Sequence, residues 1–174
     1  MKIIYHQHIE TNRWLHLDDD VVLADAAVSL SLRRWLRDRN ILKEHTKPLA
    51  VRLEPDDDPA TLADDLQTLA MVAIVFPNFS EGRGYTQARR LRQHYGYEGE
   101  IRALNAHRDH LQFMSRVGIN TFELAPGENL DAALAILLRS RVHYQNDRLR
   151  GLEGPLLHSA NINSIIHHLP GINS

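Results

Sequence analysis

The sequence predicts an α/β fold: a single domain with a mainly parallel sheet of about four βα units and a small N-terminal hairpin. The length of 174 residues suits one domain, since domains commonly run to roughly 100–200 residues. From Lys47-Pro48 onward, short apolar runs alternate with longer amphipathic ones. Strands that alternate with helices imply right-handed crossovers and a parallel sheet. Glycines follow two of the helical stretches, at Gly96 and Gly118, where a residue of positive φ ends a helix at little cost.

The runs 2–5 and 13–17, separated by polar residues that include Thr11 and Asn12, read as the two strands of the hairpin. Over 24–39, Ala27, Leu30, Leu32, Trp35 and Leu36 fall near helical spacing, with Arg33, Arg34 and Arg37 on the wet side, which predicts a surface helix. Strands are expected over 49–53, 71–76, 100–104 and 121–124. Helices are expected over 60–69, 84–95, 108–117 and 130–147. Asn129 is placed to cap the last helix, with Asp131 in its first turn; Leu130, Ala133, Leu134, Leu137, Leu138 and Val142 form its apolar stripe. Residues 1–47 carry the hairpin and first helix as part of the same domain, 48–150 the α/β core, and 151–174 a tail with several Asn and Ser that reads as loosely ordered or as an interaction segment.

Composition narrows the function classes. Hydrophobic residues make up 43% and charged residues 24%, an ordinary globular balance. The chain has no cysteine, which removes disulfides, thiolate metal sites and a cysteine nucleophile. No apolar run reaches the length of a membrane span, and the start MKIIYHQHIETNRW lacks the apolar stretch of a signal peptide; a soluble, cytoplasmic protein is expected. Residues 1–80 hold 9 Lys and Arg against 13 Asp and Glu, and residues 81–174 hold 11 against 9. Without a broad basic face, nucleic acid is not an expected partner, and no membrane partner is expected either.

The most informative stretch is FPNFSEGRGYTQARRLR, residues 76–92. It leads from a buried strand through Pro77, Gly82 and Gly84 into a helix, so the loop falls at the carboxyl end of a strand, where open α/β sheets usually hold ligands. Gly82 and Gly84 would let backbone N–H groups approach a guest, and Arg83 adds a forked cationic donor. That chemistry fits an oxyanion such as phosphate, sulfate or sulfite. A plain tight turn, with Arg83 paired to Glu81 or Asp109 and Tyr85 in the core, is the structural alternative.

The same stretch resembles the signature of a bacterial family, domain of unknown function 934. GYEGEIRAL (96–104) and DHLQFMSRVGINTFEL (109–124) resemble the segments that follow it in that family. The resemblance marks Gly82, Arg83, Gly84, Tyr85, Arg92, Arg102 and Asp109. It departs from the family pattern at Glu81, at Asn105-Ala106-His107 and at His110. It implies an association with assimilatory sulfite reduction, hence with sulfur assimilation and cysteine biosynthesis, as an oxidoreductase or an accessory to one.

Gly82, Arg83, Gly84, Tyr85 and Arg102 are therefore the candidate ligand-binding residues, with Asp109 the candidate proton carrier. His107 and His110, three apart at the start of a helix, are weak candidates for a metal, since a helix start capped or charged by Asp109, with solvated or locally paired histidines, is the favoured explanation; no metal site is assigned. No Rossmann fingerprint, Walker loop or haem-attachment motif occurs, so no cofactor is assigned by motif. Three readings stay open: an auxiliary protein of sulfite reduction that docks on sulfite reductase or its electron donor and holds a small oxyanion, an independent enzyme acting on a small anionic or phosphorylated metabolite, and a non-catalytic scaffold. Homo-oligomerisation is left open.

Overall fold

The computed structural model describes residues 1–78, 80 and 82–139, which belong to one compact unit. The chain runs β1 (Lys2–Tyr5), β2 (His8–Thr11), β3 (Leu15–His16), β4 (Val28–Ser31), α1 (Leu32–Leu42), β5 (Leu49–Leu53), β6 (Met71–Val75), α2 (Arg83–Arg89), β7 (Glu100–Ala106), α3 (Leu111–Arg116) and β8 (Thr121–Leu124), and then α4 over 130–139. The strands form one sheet in the order β2-β1-β8-β7-β6-β5-β4-β3. Neighbours from β3 to β8 are parallel, and β1 is antiparallel to both β2 and β8. The α/β class holds, but the sheet is mixed and has eight strands in place of the expected mainly parallel sheet of about four βα units.

The sheet curls until β3, at one end of the order, faces β8, the third strand from the other end. Strands sit about 4.8 Å apart, so in a flat sheet β8 and β3, five places apart in the order, would be separated by roughly 24 Å. Instead His16 Nε2 on β3 lies 3.1 Å from Glu123 Oε2 on β8. The link from Thr11 on β2 to Leu15 on β3 joins opposite ends of the order and spans at most about 14 Å. Only a curled sheet accommodates it.

Curling gives the two faces different chemistry. The convex face carries Val28, Leu30, Val51, Leu53, Val72, Ile74, Ile101, Ala103 and Phe122, packed against Leu32 and Trp35 of α1, Ala88 of α2, Leu111 and Met114 of α3, and Ala133 and Leu137 of α4. The concave face carries small or slender apolar residues, Ala50, Met71, Ala73 and Leu104, with Trp14 against them. Strand alternation also sends Ser29, Arg102 and Thr121 to that face, all fully buried or nearly so.

Several expectations are corrected by local physics. The partner of β1 is His8–Thr11, not 13–17, and the turn between them is His6-Gln7, both at positive φ (43° and 75°). That geometry belongs to a two-residue hairpin turn, but the usual Asn-Gly signal is absent. Residues 15–16 instead pair in parallel with β4. The expected helix over 24–39 conceals β4, because Leu30 lies two residues after Val28, at strand spacing, and three after Ala27, at helical spacing; Ser31 then caps α1, accepting a hydrogen bond from the Arg34 N–H at 3.0 Å. Residues 60–69 form two short 3₁₀ turns, 59–62 and 66–68, in place of one helix. There the hydroxyls of Thr61 and Thr68 donate to the carbonyls of Asp58 and Asp65, a local bond that competes with helix extension. The segment 130–139 is helical as expected, and Asn129 Oδ1 accepts from the Ala132 N–H at 2.8 Å. The remainder of the expected 130–147 helix, Val142 and the 151–174 tail lie outside the described residues. No helix among the described residues is long and apolar enough to cross a membrane.

Candidate functional site

The motif segment begins where β6 ends. Phe76 seals the strand end, its N–H donating to Leu104 O and its O accepting from Asn105 Nδ2 at 2.7 Å. Asn105 holds a positive φ of 62° at an irregularity in the β7–β8 pairing. A non-glycine residue in that region beside a bulge marks a place where the strand end is re-aimed. The rim built by β6 and β7 is thus shaped by one side-chain amide.

Glycine plays different parts at 82 and 84. A Cβ on Gly84 would come within 2.7 Å of the Phe76 ring and 2.9 Å of Ile74 Cγ2, whereas a Cβ on Gly82 would meet nothing within 4 Å. Gly82 also has an ordinary φ of −93°. The fold therefore demands glycine at 84 for close packing of α2 on β6 and leaves Gly82 as open, exposed backbone.

Helix α2 is held from the acidic turn after β5. Gln87 Nε2 donates to Glu54 O at 2.8 Å and to Asp57 O at 2.9 Å. Arg90 pairs with Asp58 at 2.8 Å, and Arg83 Nη1 pairs with Asp56 Oδ1. The Arg83 side chain is 57% exposed and that of Asp56 88%. Past Arg89 the helix widens into a π turn over 90–94, closed by Tyr95 N–H to Arg90 O at 3.0 Å; such turns favour functional segments. Arg92, on this turn, reaches the far end of the strands, where it donates to Gly118 O at 2.9 Å and Gly99 O at 2.8 Å.

Tyr85 sits beneath the rim. Its ring packs on Phe76 and Phe113, with centroids at 5.2 and 4.7 Å, and its hydroxyl lies 2.7 Å from His110 Nδ1. Burial pushes the phenol above its ordinary value, so it stays protonated at neutral pH; its O–H then runs to Nδ1 in the tautomer that carries the imidazole proton on Nε2. Tyr85 and His110 are thus brought together at the carboxyl end of the sheet, Tyr85 two residues after Arg83 on α2.

The other expected site residues lie apart from this group. Arg102 is 2% exposed on the concave face, opposite the face on which α2 packs. Its Nε donates to Glu100 Oε1 at 2.8 Å and its Nη1 to Asn12 Oδ1 at 2.7 Å. His107 Nδ1 is 3.3 Å from Glu128 Oε1, a partner different from that of His110. Asp109 is 69% exposed and lies 3.7 Å from Arg108 Nε. Among the described residues no group of three or more His, Asp and Glu could hold a metal ion. Glu81 lies outside the described residues.

Residues 50–151 match the model of a family described as a bacterial protein of unknown function, DUF934. The chain belongs to that family. No curated protein matches it. The DUF934 match takes in β5 to β8, the whole 76–92 segment and every candidate site residue.

Sequence reasoning missed a second constellation, on the concave face. His16 bridges Ser29 Oγ at 2.6 Å and Glu123 Oε2 at 3.1 Å, and Asn12 links Glu123 to Arg102. Three of its members, Asn12, His16 and Ser29, precede the DUF934 match. A carboxylate, an imidazole and a hydroxyl in a row suggest a nucleophile relay, but Ser29 is 0% exposed in mid-strand, so the row ties β3 and β4 to β8 across the concave face and presents nothing to a substrate. No motif spacing signals it, because the residues are joined only by the curl.

Proposed function

We infer that this DUF934 protein is an accessory factor of assimilatory sulfite reduction, serving sulfur assimilation and cysteine biosynthesis. It holds a small oxyanion at Gly82, Arg83 and Gly84 and docks on sulfite reductase or its electron donor. The observation that carries the oxyanion half is the contrast between the two glycines: open backbone at 82 beside an exposed guanidinium, on a strand end that Gly84 fixes by packing. The Arg83–Asp56 pair is exposed, and exposed pairs contribute about 0–1 kcal/mol, so an anion of higher charge displaces Asp56 readily. The sulfite-reduction half is supported by the family resemblance and by a chain without a cysteine, which has no thiolate of its own to carry electrons.

The reading is tested by thermal shift and calorimetry with sulfite, sulfate and phosphate. Stabilisation should follow RT ln(1 + [L]/Kd), vanish in Arg83→Ala and strengthen in Asp56→Asn. Unchanged binding in both variants removes the loop as the site. Sulfite reductase turnover with and without the protein, together with a pull-down of the purified partners, tests the accessory role; unaltered rates and no association overturn it. A second reading, an enzyme acting on a small anionic or phosphorylated metabolite, draws on the Tyr85–His110 pair, two residues along α2 from Arg83. It requires turnover that Tyr85→Phe abolishes while anion binding persists.

A further inference from the structure

At the amino ends of β5 and β6, opposite the end that carries the motif, lies a cavity of about 460 Å³. It opens between the end of α1, the 43–48 connection and the short turns before β6. Its size falls within the roughly 300–1,000 Å³ of small-molecule sites. Trp35, Leu42 and Leu49, all buried, give it an apolar floor. Lys43, His45 and Lys47 stand around it.

Cationic groups outnumber carboxylates at the wall. The single carboxylate in the lining, Asp65, is already engaged by the Trp35 indole N–H at 2.8 Å and by Arg39 Nη2. Among the described residues Lys47 meets a loose partner in Asp25, at 3.5 Å, with Asp25 87% exposed. His45 Nε2 is buried and has no hydrogen-bond partner among the described residues. A buried polar nitrogen in a cavity wall without a partner is an incomplete arrangement of the kind a hydrogen-bonding guest completes.

We propose that this cavity binds a small organic anion, an apolar body carrying one carboxylate, with the body on Trp35 and Leu42 and the carboxylate between Lys43, Lys47 and the His45 ring. An inorganic oxyanion would leave the floor unfilled, and a neutral apolar molecule would leave the cationic rim unused. The ligand class therefore differs from that of the Gly82–Gly84 loop, and the two sites stand or fall separately.

The full chain, titrated with 3-phenylpropionate and separately with 3-phenylpropanamide, tests this, followed by backbone NMR and by Trp emission in a Trp14→Phe background that isolates Trp35. The acid should perturb residues 35, 42–49 and 65–70 and bind about tenfold more tightly than the amide, the ratio an ionic contact of ordinary strength produces. The Lys43→Glu/Lys47→Glu double variant should lose a comparable factor, and Ala70→Trp, which fills the cavity, should abolish binding. Perturbations elsewhere, equal binding of acid and amide, an unaffected double charge reversal, or no response at millimolar probe each overturn the proposal.

Discussion

Two glycines separated by one residue show how differently the same side chain, a hydrogen atom, is used. At Gly84 the Phe76 ring and Ile74 occupy the space a methyl would need, and neither can retreat because both belong to the convex core. Gly84→Ala is therefore expected to cost about 1–3 kcal/mol, the usual penalty of overpacking, read as a lowered denaturation midpoint. Gly82→Ala, with nothing within 4 Å of the added methyl, should change stability by less than about 0.5 kcal/mol and act only on anion binding. Equal destabilisation in the two variants would contradict the assignment of Gly82 to ligand approach. Arg102 marks the limit of residue-level reading. Its place in the motif is visible in the sequence, yet strand alternation turns it into the concave face, where Glu100 and Asn12 occupy its guanidinium.

At the scale of elements, what could be read depended on how far apart the interacting residues lie along the chain. Strands β5, β6, β7 and β8 and the glycine ends at 96 and 118 were legible because each is encoded within a few residues; both glycines do adopt positive φ. Strand β3 was not, since a two-residue strand exists only through its partner β4, and β4 itself was masked by an apolar spacing that also suits a helix. The start of α1 joins local and distant effects. Ser31 caps the helix, and Asp19, twelve residues earlier, accepts from Ser31 Oγ and from Arg33 Nε at 2.8 Å. The Ser31 hydroxyl, followed by Arg33, holds the Asp19 carboxyl below its ordinary value. A carboxyl depressed by folding contributes stability that is present above its unfolded pKa of about 3.9 and is lost as pH falls through the lower folded value. Asp19→Asn should thus be less stable than the natural chain at neutral pH, with the difference shrinking toward zero below the carboxylate range. Denaturant titrations at both ends of that range check it; a gap independent of pH would mean that Asp19 acts through shape and not through charge. Ser31→Ala should cost about 1 kcal/mol through the lost cap.

At the largest scale the decisive feature is the return of edge strand β3 to β8 across the curled sheet, the feature that sequence periodicity is least able to express. Hydrophobic alternation tells which face a residue takes, but no period records that β3, last in the strand order, returns to β8. That contact depends on small concave residues such as Ala50 and Ala73, which let the sheet bend tightly, and on polar groups able to bridge the remaining gap. His16 supplies the bridge, with 24% of its side chain exposed against 16% for Glu123. Its partners are therefore only partly wetted, and a contact of this kind is stronger than one at the open surface. If curling holds β3 against β8 in solution, His16→Ala and Glu123→Gln must not act independently. A double-mutant cycle by chemical denaturation should return a coupling energy of about 0.5–3 kcal/mol, whereas Lys2→Ala combined with His16→Ala should be additive, since Lys2 lies at the hairpin and shares no partner with His16. Removing Glu123 should also loosen Asn12, whose Nδ2 donates to it at 3.4 Å, and through Asn12 the Nη1 of Arg102. Amide exchange along β7 should then rise in Glu123→Gln together with exchange in β3. Exchange that rises in β8 alone, with zero coupling to His16, would mean that the sheet is open and that the polar row is no more than neighbouring surface groups.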